Sequence, residues 1–201
     1  MINILCGLGA VAGEALARHP EVKKIAFTGS GPVGRRILRA AADTNLKKVT
    51  LELGGKGPSI IFPDADFDNA IFWTTLGITA NNGQVCAAGS RIYVHSKIYD
   101  SFLAAFGEKI AKTAHGDPLD PNVTKGPVIS KTQKERILKY ISQAINSNVR
   151  ILAGGQSITG DGHFISNIAF ADVPNDNCLM QEEVFGPVAV SQKAGNSEER
   201  C

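Results

Sequence analysis

The segment 23–34 constrains the fold more than any other part of the sequence. A short strand pattern, Lys23-Lys24-Ile25-Ala26-Phe27-Thr28, leads directly into Gly29-Ser30-Gly31-Pro32-Val33-Gly34, and a helix-forming stretch follows. Pro32 suits the first turn of that helix. A G-x-G-x-x-G turn between a strand and a helix leaves backbone amides free to bind a pyrophosphate, although a tight turn without a ligand gives the same pattern. The segment therefore predicts a strand–turn–helix unit with a candidate phosphate site.

Strand and helix patterns alternate through the rest of the chain. This alternation predicts an α/β fold with mostly parallel sheets and flanking helices. The clearest helix is 131–147, where Ile137, Leu138, Ile141 and Ile145 are predicted to share one side. The predicted strands are 23–28, 49–53, 59–62, 91–95 and 149–153, and the other predicted helices are 35–42, 66–80 and 99–113.

Composition argues against several classes of protein. The net charge is +2, from 21 basic and 19 acidic residues without a basic block, which argues against nucleic acid or an anionic membrane as partner. The longest apolar runs are too short to span a bilayer, and the first residues lack the pattern of a signal peptide. The four cysteines and four histidines are scattered, so we expect no disulfide framework, no metal site and a reducing, cytoplasmic compartment.

Two segments carry candidate chemistry. Cys86 ends the run Asn81-Asn82-Gly83-Gln84-Val85-Cys86, thirty-four positions after Glu52 in Leu51-Glu52-Leu53-Gly54-Gly55-Lys56. A lone cysteine is usually a small buried apolar residue, and we interpret Cys6, Cys178 and Cys201 in that way. For Cys86, Gly83 permits close backbone approach, and amide donors at such a turn lower a thiol pKa.

Glu52 has three interpretations from the residues alone. It is a strand-end glutamate paired with Lys47 or Lys56, or the acid about 20 residues after a glycine turn that binds a dinucleotide ribose. In the third interpretation Glu52 is a general base, and partial burial beside Leu51 and Leu53 would raise its pKa.

Taken together, the segments around Glu52 and Cys86 resemble two signature segments of the aldehyde dehydrogenase superfamily. Two further segments strengthen the resemblance: Phe27-Thr28-Gly29-Ser30 before a helix, and Gln181-Glu182-Glu183-Val184-Phe185-Gly186-Pro187. The similarity runs from about Ile2 to Val190 and is greatest to enzymes that act on general aliphatic and aromatic aldehydes. It favours the general base among the three interpretations of Glu52.

The resemblance implies an NAD- or NADP-dependent oxidation of an aldehyde to a carboxylic acid. Cys86 would be the nucleophile that forms a thiohemiacetal and then a thioester, and Glu52 would activate the hydrolytic water. Glu183 would hold the nicotinamide ribose and Phe185 would lie against the nicotinamide ring. Gly29 and Ser30 would lie near the cofactor phosphates, and Val33 near the adenine side.

The chain also departs from the family pattern. It is much shorter, and it has no Pro-Trp-Asn segment, whose asparagine supplies one oxyanion donor in the family. We therefore expect residues 1–54 to be the C-terminal part of a cofactor domain, an incomplete Rossmann-like part, and 55–201 a catalytic domain truncated at its C-terminus. The family is homo-oligomeric, but its oligomerisation strands would be missing here. Ser166-Asn167 stand where the family usually has Glu-Pro, and the polar tail from Ser191 is expected to interrupt a strand.

These departures leave the activity of the isolated chain open. We expect impaired aldehyde oxidation. The alternative is a catalytically inactive binding or regulatory protein that associates with a full-length subunit through uncovered strand edges. A cysteine-dependent esterase is a third, weaker interpretation, because acylation of a thiol needs no nicotinamide.

Overall fold

The computed structural model describes residues 1–156, 158 and 162–195. The chain divides into two compact units, Met1–Gly54 and Gly55–Cys201. The cofactor and catalytic roles expected for these two parts stay predictions.

The first unit is built on a pair of parallel strands, β1 (Lys24–Gly29) and β2 (Lys48–Leu53), joined by helix α2 (Gly31–Ala42). A π-helical turn at Gly9–Gly13 and a short helix α1 (Glu14–Arg18) precede β1. Gly34 of α2 faces Leu51 and Leu53, since a methyl group on its α-carbon would lie 3.2–3.3 Å from their side chains. The small residue therefore lets α2 pack closely on β2.

The second unit contains a five-stranded sheet in the order β3-β4-β7-β6-β5. All neighbours are parallel except β5 and β6, which pair antiparallel with a register shift between Ile151 and Ala153. The strand that comes last in the sequence, β7, lies in the middle of the sheet. The strands are β3 (Pro58–Ile61), β4 (Arg91–His95), β5 (Arg150–Gly154), β6 (Ile168–Ala171) and β7 (Val188–Ala194).

Helices pack on both faces of this sheet. One buried cluster joins the helices α3 (Phe67–Thr79) and α4 (Tyr99–Ala111) to small residues of β6 and β7, such as Ala169 and Ala189. The other joins α5 (Lys131–Asn146) and α6 (Cys178–Gln181) to Phe170 and Val190. Because side chains alternate between the two faces of a strand, β6 and β7 each contribute to both clusters.

Side-chain caps fix the starts of the two helices that frame the candidate site. Asp66 accepts a hydrogen bond of 2.9 Å from the Asn69 amide at the start of α3, and Ser130 accepts one of 3.2 Å from the Gln133 amide at the start of α5. Such caps each contribute about 1 kcal/mol to helix stability. They also set the register at which each helix presents its residues to the sheet.

Two expectations from the sequence were wrong. In α5 the buried stripe is Ile137, Ile141 and Ala144, whereas Leu138 and Ile145 are more than 40% exposed. The spacing of Ile137, Ile141 and Ala144 follows one face of a 3.6-residue helix, and the two larger residues lie beside it.

The polar segment from Ser191 does not interrupt the strand, since β7 continues to Ala194. The side chain of Ser191 is fully buried because its hydroxyl donates to the Phe170 carbonyl at 2.9 Å. Residues 196–201 of this tail, Cys201 among them, lie outside the described residues.

Candidate active site

The segment that leads to Cys86 has an unusual backbone. Helix α3 ends at Thr79, and a 3₁₀ turn follows at Ala80–Gly83. Asn81, Asn82 and Gly83 have φ values of 48°, 58° and 66°. Three consecutive residues in the left-handed region turn the chain sharply, and Asn and Gly are the residues that adopt this region most easily. The sequence Asn-Asn-Gly thus allows the turn that presents Cys86.

Hydrogen bonds attach this turn to the segment before α5. Asn82 Nδ2 donates to the carbonyls of Gly126 and Pro127, each at 3.2 Å. Gln84 Oε1 accepts from the Ile129 amide at 3.1 Å, and Gln84 Nε2 donates to the Asn81 carbonyl at 3.2 Å. The turn is therefore held by side chains on both sides of Gly83.

Cys86 itself is exposed and its thiol is free. It lies in a tight turn closed by a hydrogen bond of 3.0 Å from the Ala88 amide to the Val85 carbonyl. Among the described residues, no acceptor receives the Cys86 backbone N–H. The thiol and an unoccupied amide donor thus belong to the same residue, which is the arrangement needed to attack a carbonyl and stabilise the oxygen that becomes negative.

Gly83 also brings the Cys86 turn against the segment that contains Glu183 and Phe185. A methyl group on the α-carbon of Gly83 would come within 2.2 Å of the Gly186 carbonyl oxygen, so only glycine allows this approach. The two segments share a narrow cavity of about 10 Å³, large enough for one water molecule. Its lining comes from the residues after β2, the Cys86 turn and the segment 183–188, including Lys56, Val85, Ala88, Glu183 and Phe185.

Glu183 and Lys56 present two buried polar atoms to this region. In the described part of the chain, neither Glu183 Oε1 nor Lys56 Nζ has a hydrogen-bond partner. The pKa of Lys56 is lowered to about 8, first by burial and then by the nearby Arg91, while Glu183 and Cys178 partly oppose the shift. An unpaired buried carboxylate oxygen is costly, so Glu183 is prepared to accept a hydrogen bond from a ligand.

Phe185 lies beside this carboxylate in a strained conformation. Its φ is +57°, a region that bulky residues rarely occupy. Its carbonyl accepts a hydrogen bond of 2.8 Å from Gln133 Nε2, and Arg136 Nη2 donates to the Glu183 carbonyl at 3.0 Å. Helix α5 therefore fixes the backbone that carries both side chains.

The remaining predicted site residues belong to the first unit. Gly29 ends β1, and Ser30 precedes α2 without a side-chain hydrogen bond to its first turn. The amides at the start of α2 are thus not capped by Ser30, and a helix N-terminus of this kind attracts anions. Val33, in the first turn of α2, is 40% exposed. The predicted phosphate loop has the local geometry that its sequence pattern indicated.

Glu52 pairs in register with Thr28, so it lies at the carboxyl end of the same two strands. The expected partial burial beside Leu51 and Leu53 is wrong within this chain, since Glu52 is exposed. Side chains alternate along β2, and Glu52 points away from the side on which Leu51 and Leu53 meet α2. The proposed pair with Lys47 is also wrong, because Lys47 is buried and donates to the Ala17 carbonyl at 2.5 Å and the Thr44 hydroxyl at 3.0 Å.

The structure thus brings the predicted residues together in two sets, one in each unit. Cys86, Glu183 and Phe185 belong to Gly55–Cys201, and the other predicted residues belong to Met1–Gly54. Sequence reasoning missed Asn82, Gln133 and Arg136 as residues that support the site. Gln133 and Arg136 resemble any polar residues on an amphipathic helix, so no local signal distinguished them.

Neither a metal-binding cluster nor a membrane-spanning helix occurs in the part of the chain that the structure describes. Within residues 1–156, 158 and 162–195, no group of three or more His, Cys, Asp or Glu side chains is arranged to hold a metal ion. Over the same residues, no helix combines the length and apolar character needed to cross a bilayer.

Comparisons with known proteins agree with this geometry. The model of the aldehyde dehydrogenase family matches residues 1–200. An aldehyde dehydrogenase of Davidiella tassiana is 48% identical over 199 residues, and aldehyde dehydrogenase family 2 member C4 of Arabidopsis thaliana is 45% identical over 199. Each match covers 99% of this chain and 40% of the relative. The chain therefore spans about 40% of the length of these relatives.

Solved structures of aldehyde dehydrogenases also superpose closely on this chain. The NAD+ complex of an aldehyde dehydrogenase from Bacillus cereus superposes with a TM-score of 0.92 at 40% identity, covering 96% of this chain and 39% of that one. An indole-3-acetaldehyde dehydrogenase complexed with NAD+ gives a TM-score of 0.92 at 36% identity, with 96% and 40% coverage.

Proposed function

Because this chain belongs to the aldehyde dehydrogenase family, we propose that it contains the residues for NAD(P)-dependent oxidation of an aldehyde to a carboxylic acid. The contact between Gly83 and Gly186 carries the proposal, because it places the Cys86 turn beside the segment of Glu183 and Phe185. The turn that carries this thiol thus meets a segment with a buried carboxylate oxygen, Glu183 Oε1, that has no hydrogen-bond partner among the described residues, and a structural cysteine requires neither.

Cys86 is the proposed nucleophile. Its thiolate attacks the aldehyde carbon, and a new carbon–sulfur bond forms while the carbonyl oxygen becomes negative. The Cys86 N–H, which has no acceptor in the described part of the chain, stabilises that oxygen. After oxidation of the carbon, a thioester remains on Cys86.

Glu52 is the proposed general base. Its carboxylate takes a proton from the water that attacks the thioester, and the acid product leaves while Cys86 regains its thiol. The position of Glu52 at the carboxyl end of parallel strands is where α/β proteins place ligand-binding and catalytic groups. The same position also suits a ribose ligand.

The residues present fit a nicotinamide dinucleotide. Glu183 Oε1 is a buried acceptor that has no partner among the residues described, as a ribose hydroxyl requires, and Phe185 offers an aromatic ring beside it. Gly29, Ser30 and Val33 would hold the phosphates and the adenine side at the start of α2. When bound, NAD(P)+ supplies the oxidising equivalent by accepting a hydride from the substrate carbon.

We further propose that the isolated 201-residue chain turns over aldehyde poorly. The first unit contains only the strand pair β1–β2 among its described residues, so much of a nucleotide-binding sheet is not provided here. The sequence has no Pro-Trp-Asn segment, and the loss of one oxyanion donor typically slows a reaction by about 100- to 1,000-fold.

The test measures aldehyde-dependent formation of NADH and NADPH by the purified chain. Cys86→Ala removes the nucleophile, Cys6→Ala is the matched control for a second exposed thiol, and near-UV circular dichroism reports folding. We expect a slow rate that disappears in Cys86→Ala and persists in Cys6→Ala. A rate that is independent of Cys86 would exclude the proposed nucleophile, and a rate typical of full-length relatives would contradict the expected impairment.

One surface favours a second candidate function, association with a full-length subunit without catalysis. Helix α3 buries Ile71, Thr74, Thr75 and Ile78 but also exposes Phe72, Trp73 and Leu76, with Trp73 60% exposed. The adjacent β3 is an edge strand whose Ile60 is 53% exposed. An apolar helix face beside an open strand edge suits a protein partner.

Size-exclusion chromatography with a full-length family member tests this candidate. Trp73 is the single tryptophan of the chain, so its fluorescence reports contact at α3 when the partner contains no tryptophan at its interface. A monodisperse mixed complex without aldehyde oxidation supports the binding role. Separate elution with unchanged Trp73 emission contradicts it.

A reducing, cytoplasmic location is the proposed setting. The nucleophile must stay a free thiol, and Cys6, Cys86 and Cys178 are all free. Treatment with a mild oxidant should abolish any Cys86-dependent rate, and a reductant should restore it.

A further inference from the structure

A second cavity, of about 440 Å³, lies between the end of α3 and the segment that precedes α5. Its polar lining consists of the hydroxyl residues Thr79, Thr113 and Thr124, the amide residues Asn81 and Asn82, and Lys125. Of the residues that the structure describes, no acidic one belongs to the lining. The volume is typical of a site for a small organic molecule.

Lys125 makes this cavity unusual. The side chain is only 5% exposed, and its ammonium group donates to Asn167 Oδ1. Asn167 Nδ2 donates in turn to the Thr113 hydroxyl at 2.6 Å. Within the described part of the chain, Lys125 forms no ion pair with a carboxylate, since its hydrogen-bond acceptor is a neutral amide. A buried cation without a counter-ion is unfavourable unless it loses its proton or an anion binds beside it.

Asn167 explains how the chain tolerates this lysine. Its amide accepts from Lys125 on one side and donates to Thr113 on the other, so it fixes the lysine side chain at the cavity. Proline, which the family usually has at this place, offers no side-chain acceptor. The departure from the family pattern at Asn167 and the buried lysine are therefore parts of one arrangement.

The charge and shape of the cavity indicate its ligand. One ammonium group compensates one negative charge, and the Asn81 amide has one N–H left beyond the one that it donates to the Gln84 carbonyl. The hydroxyls of Thr113 and Thr124 and the Asn82 amide already donate to backbone carbonyls. Leu76, Ala80 and Pro127 give the remaining wall an apolar character, which suits a hydrocarbon chain. We propose that this cavity binds a small organic monocarboxylate, with its carboxylate at Lys125 and its hydrocarbon part against Leu76, Ala80 and Pro127. This site is distinct from Cys86 and goes beyond the proposed function.

The pH dependence of binding follows from the surroundings of the lysine. Burial lowers the pKa of Lys125 to about 7 in the empty cavity, and a bound carboxylate would raise it. The pKa of the neighbouring His115 is lowered, first by burial and then by Lys125, so this imidazole is neutral in the alkaline range. Carboxylate binding above pH 7 must therefore take up a proton, and the affinity should fall about tenfold per pH unit.

Isothermal titration calorimetry of the full chain with hexanoate tests the proposal. Hexanamide is the neutral probe of the same shape, Lys125→Met removes the charge, and Lys131→Met is the matched control at an exposed lysine. We expect hexanoate to bind at least tenfold more tightly than hexanamide. The affinity should fall at least tenfold in Lys125→Met and stay unchanged in Lys131→Met and Cys86→Ala.

Four results would overturn the proposal. They are the absence of saturable hexanoate binding, equal affinity for hexanamide, unchanged affinity in Lys125→Met, and loss of binding in Cys86→Ala. If Lys125→Met does not fold, the unaltered chain is titrated with hexanoate at pH 8 in two buffers of different ionisation enthalpy. The difference between the two binding enthalpies gives the number of protons taken up on binding. Uptake of close to one proton supports the site, and uptake of none overturns it. Because Cys86→Ala retains this site but loses the proposed oxidation, the carboxylate site and the aldehyde oxidation can be tested independently.

Discussion

The α-carbon of Gly83 faces the carbonyl oxygen of Gly186 so closely that a methyl group on it would come within 2.2 Å. Gly83 belongs to the turn that presents Cys86, and Gly186 follows Phe185. The two segments with the candidate chemistry of this unit therefore meet backbone to backbone. A side chain cannot rotate away to relieve an added atom there, so the contact is rigid.

Gly83→Ala is expected to destabilise the unit Gly55–Cys201 by about 3 kcal/mol. Overpacking against a fixed backbone costs about 1–3 kcal/mol, and the positive φ of 66° adds about 1 kcal/mol for a residue with a β-carbon. Urea unfolding followed by near-UV circular dichroism measures the change. Gly77→Ala is the control, because Gly77 is exposed in α3 with open space at its α-carbon. It should stabilise the helix by about 0.5–1 kcal/mol. Equal midpoints for the two variants would contradict the rigid contact.

Glu52→Gln separates the two roles that its position allows. As general base, Glu52 acts only when the acyl group leaves Cys86. The variant should therefore acylate normally with p-nitrophenyl acetate but release acetate about 100-fold more slowly or worse. Mass spectrometry would show the acetyl group accumulating on Cys86. If Glu52 instead binds a ribose, deacylation is unchanged and the dissociation constant for NADH rises, which fluorescence of NADH measures.

Lys56→Met is expected to change how stability depends on pH. The pKa of Lys56 is about 8 in the folded chain, below its ordinary value of 10.5, so the unfolded chain binds more protons between these values. The contribution of Lys56 to the free energy of unfolding therefore rises as the pH increases from 8 to 10.5. Methionine removes this dependence and should stabilise the chain at pH 7 by roughly 1–3 kcal/mol. Chemical unfolding at pH 7, 8.5 and 10 checks this against the exposed Lys131→Met, which should match the unaltered chain at each pH.

Phe185→Gly and Phe185→Ala form a pair that isolates backbone strain. Both remove the ring, but only glycine removes the cost of φ +57°, so the glycine variant should be more stable by about 1 kcal/mol. Both should bind NADH more weakly to the same extent if the ring contacts the nicotinamide. Urea midpoints and NADH fluorescence provide the two measurements. An alanine variant as stable as the glycine variant would show that the conformation carries no strain.

Much of this fold was predictable because its signals are local. The strand before Gly29, the helix after it and the extent of α5 each follow from the spacing of apolar residues within one segment. The family motifs around Glu52, Cys86 and Glu183 are also contiguous. Recognising the family therefore required no knowledge of long-range contacts, and the matches to the family and to solved structures confirmed it.

What the sequence did not reveal depends on distant partners. Ser191 is polar yet fully buried in a strand, because its hydroxyl donates a hydrogen bond to a carbonyl twenty-one residues earlier. Lys125 resembles an ordinary surface lysine until Asn167, forty-two residues later, is found beside it. The exposure of Glu52 depends on which side of β2 meets α2, and the sequence of one short strand does not specify this.

The position of β7 has a consequence for the order in which this unit folds. Val188–Ala194 pairs with β4 on one side and with β6 on the other, yet it is synthesised after all four of the other strands in this sheet. Until it emerges, the pair β3–β4 and the pair β5–β6 have no strand to join them. About a hundred residues separate β4 from its partner, and loop closure over such a distance is slow. Exposed strand edges would persist during synthesis, so chaperones that bind nascent chains should have their largest effect on this unit.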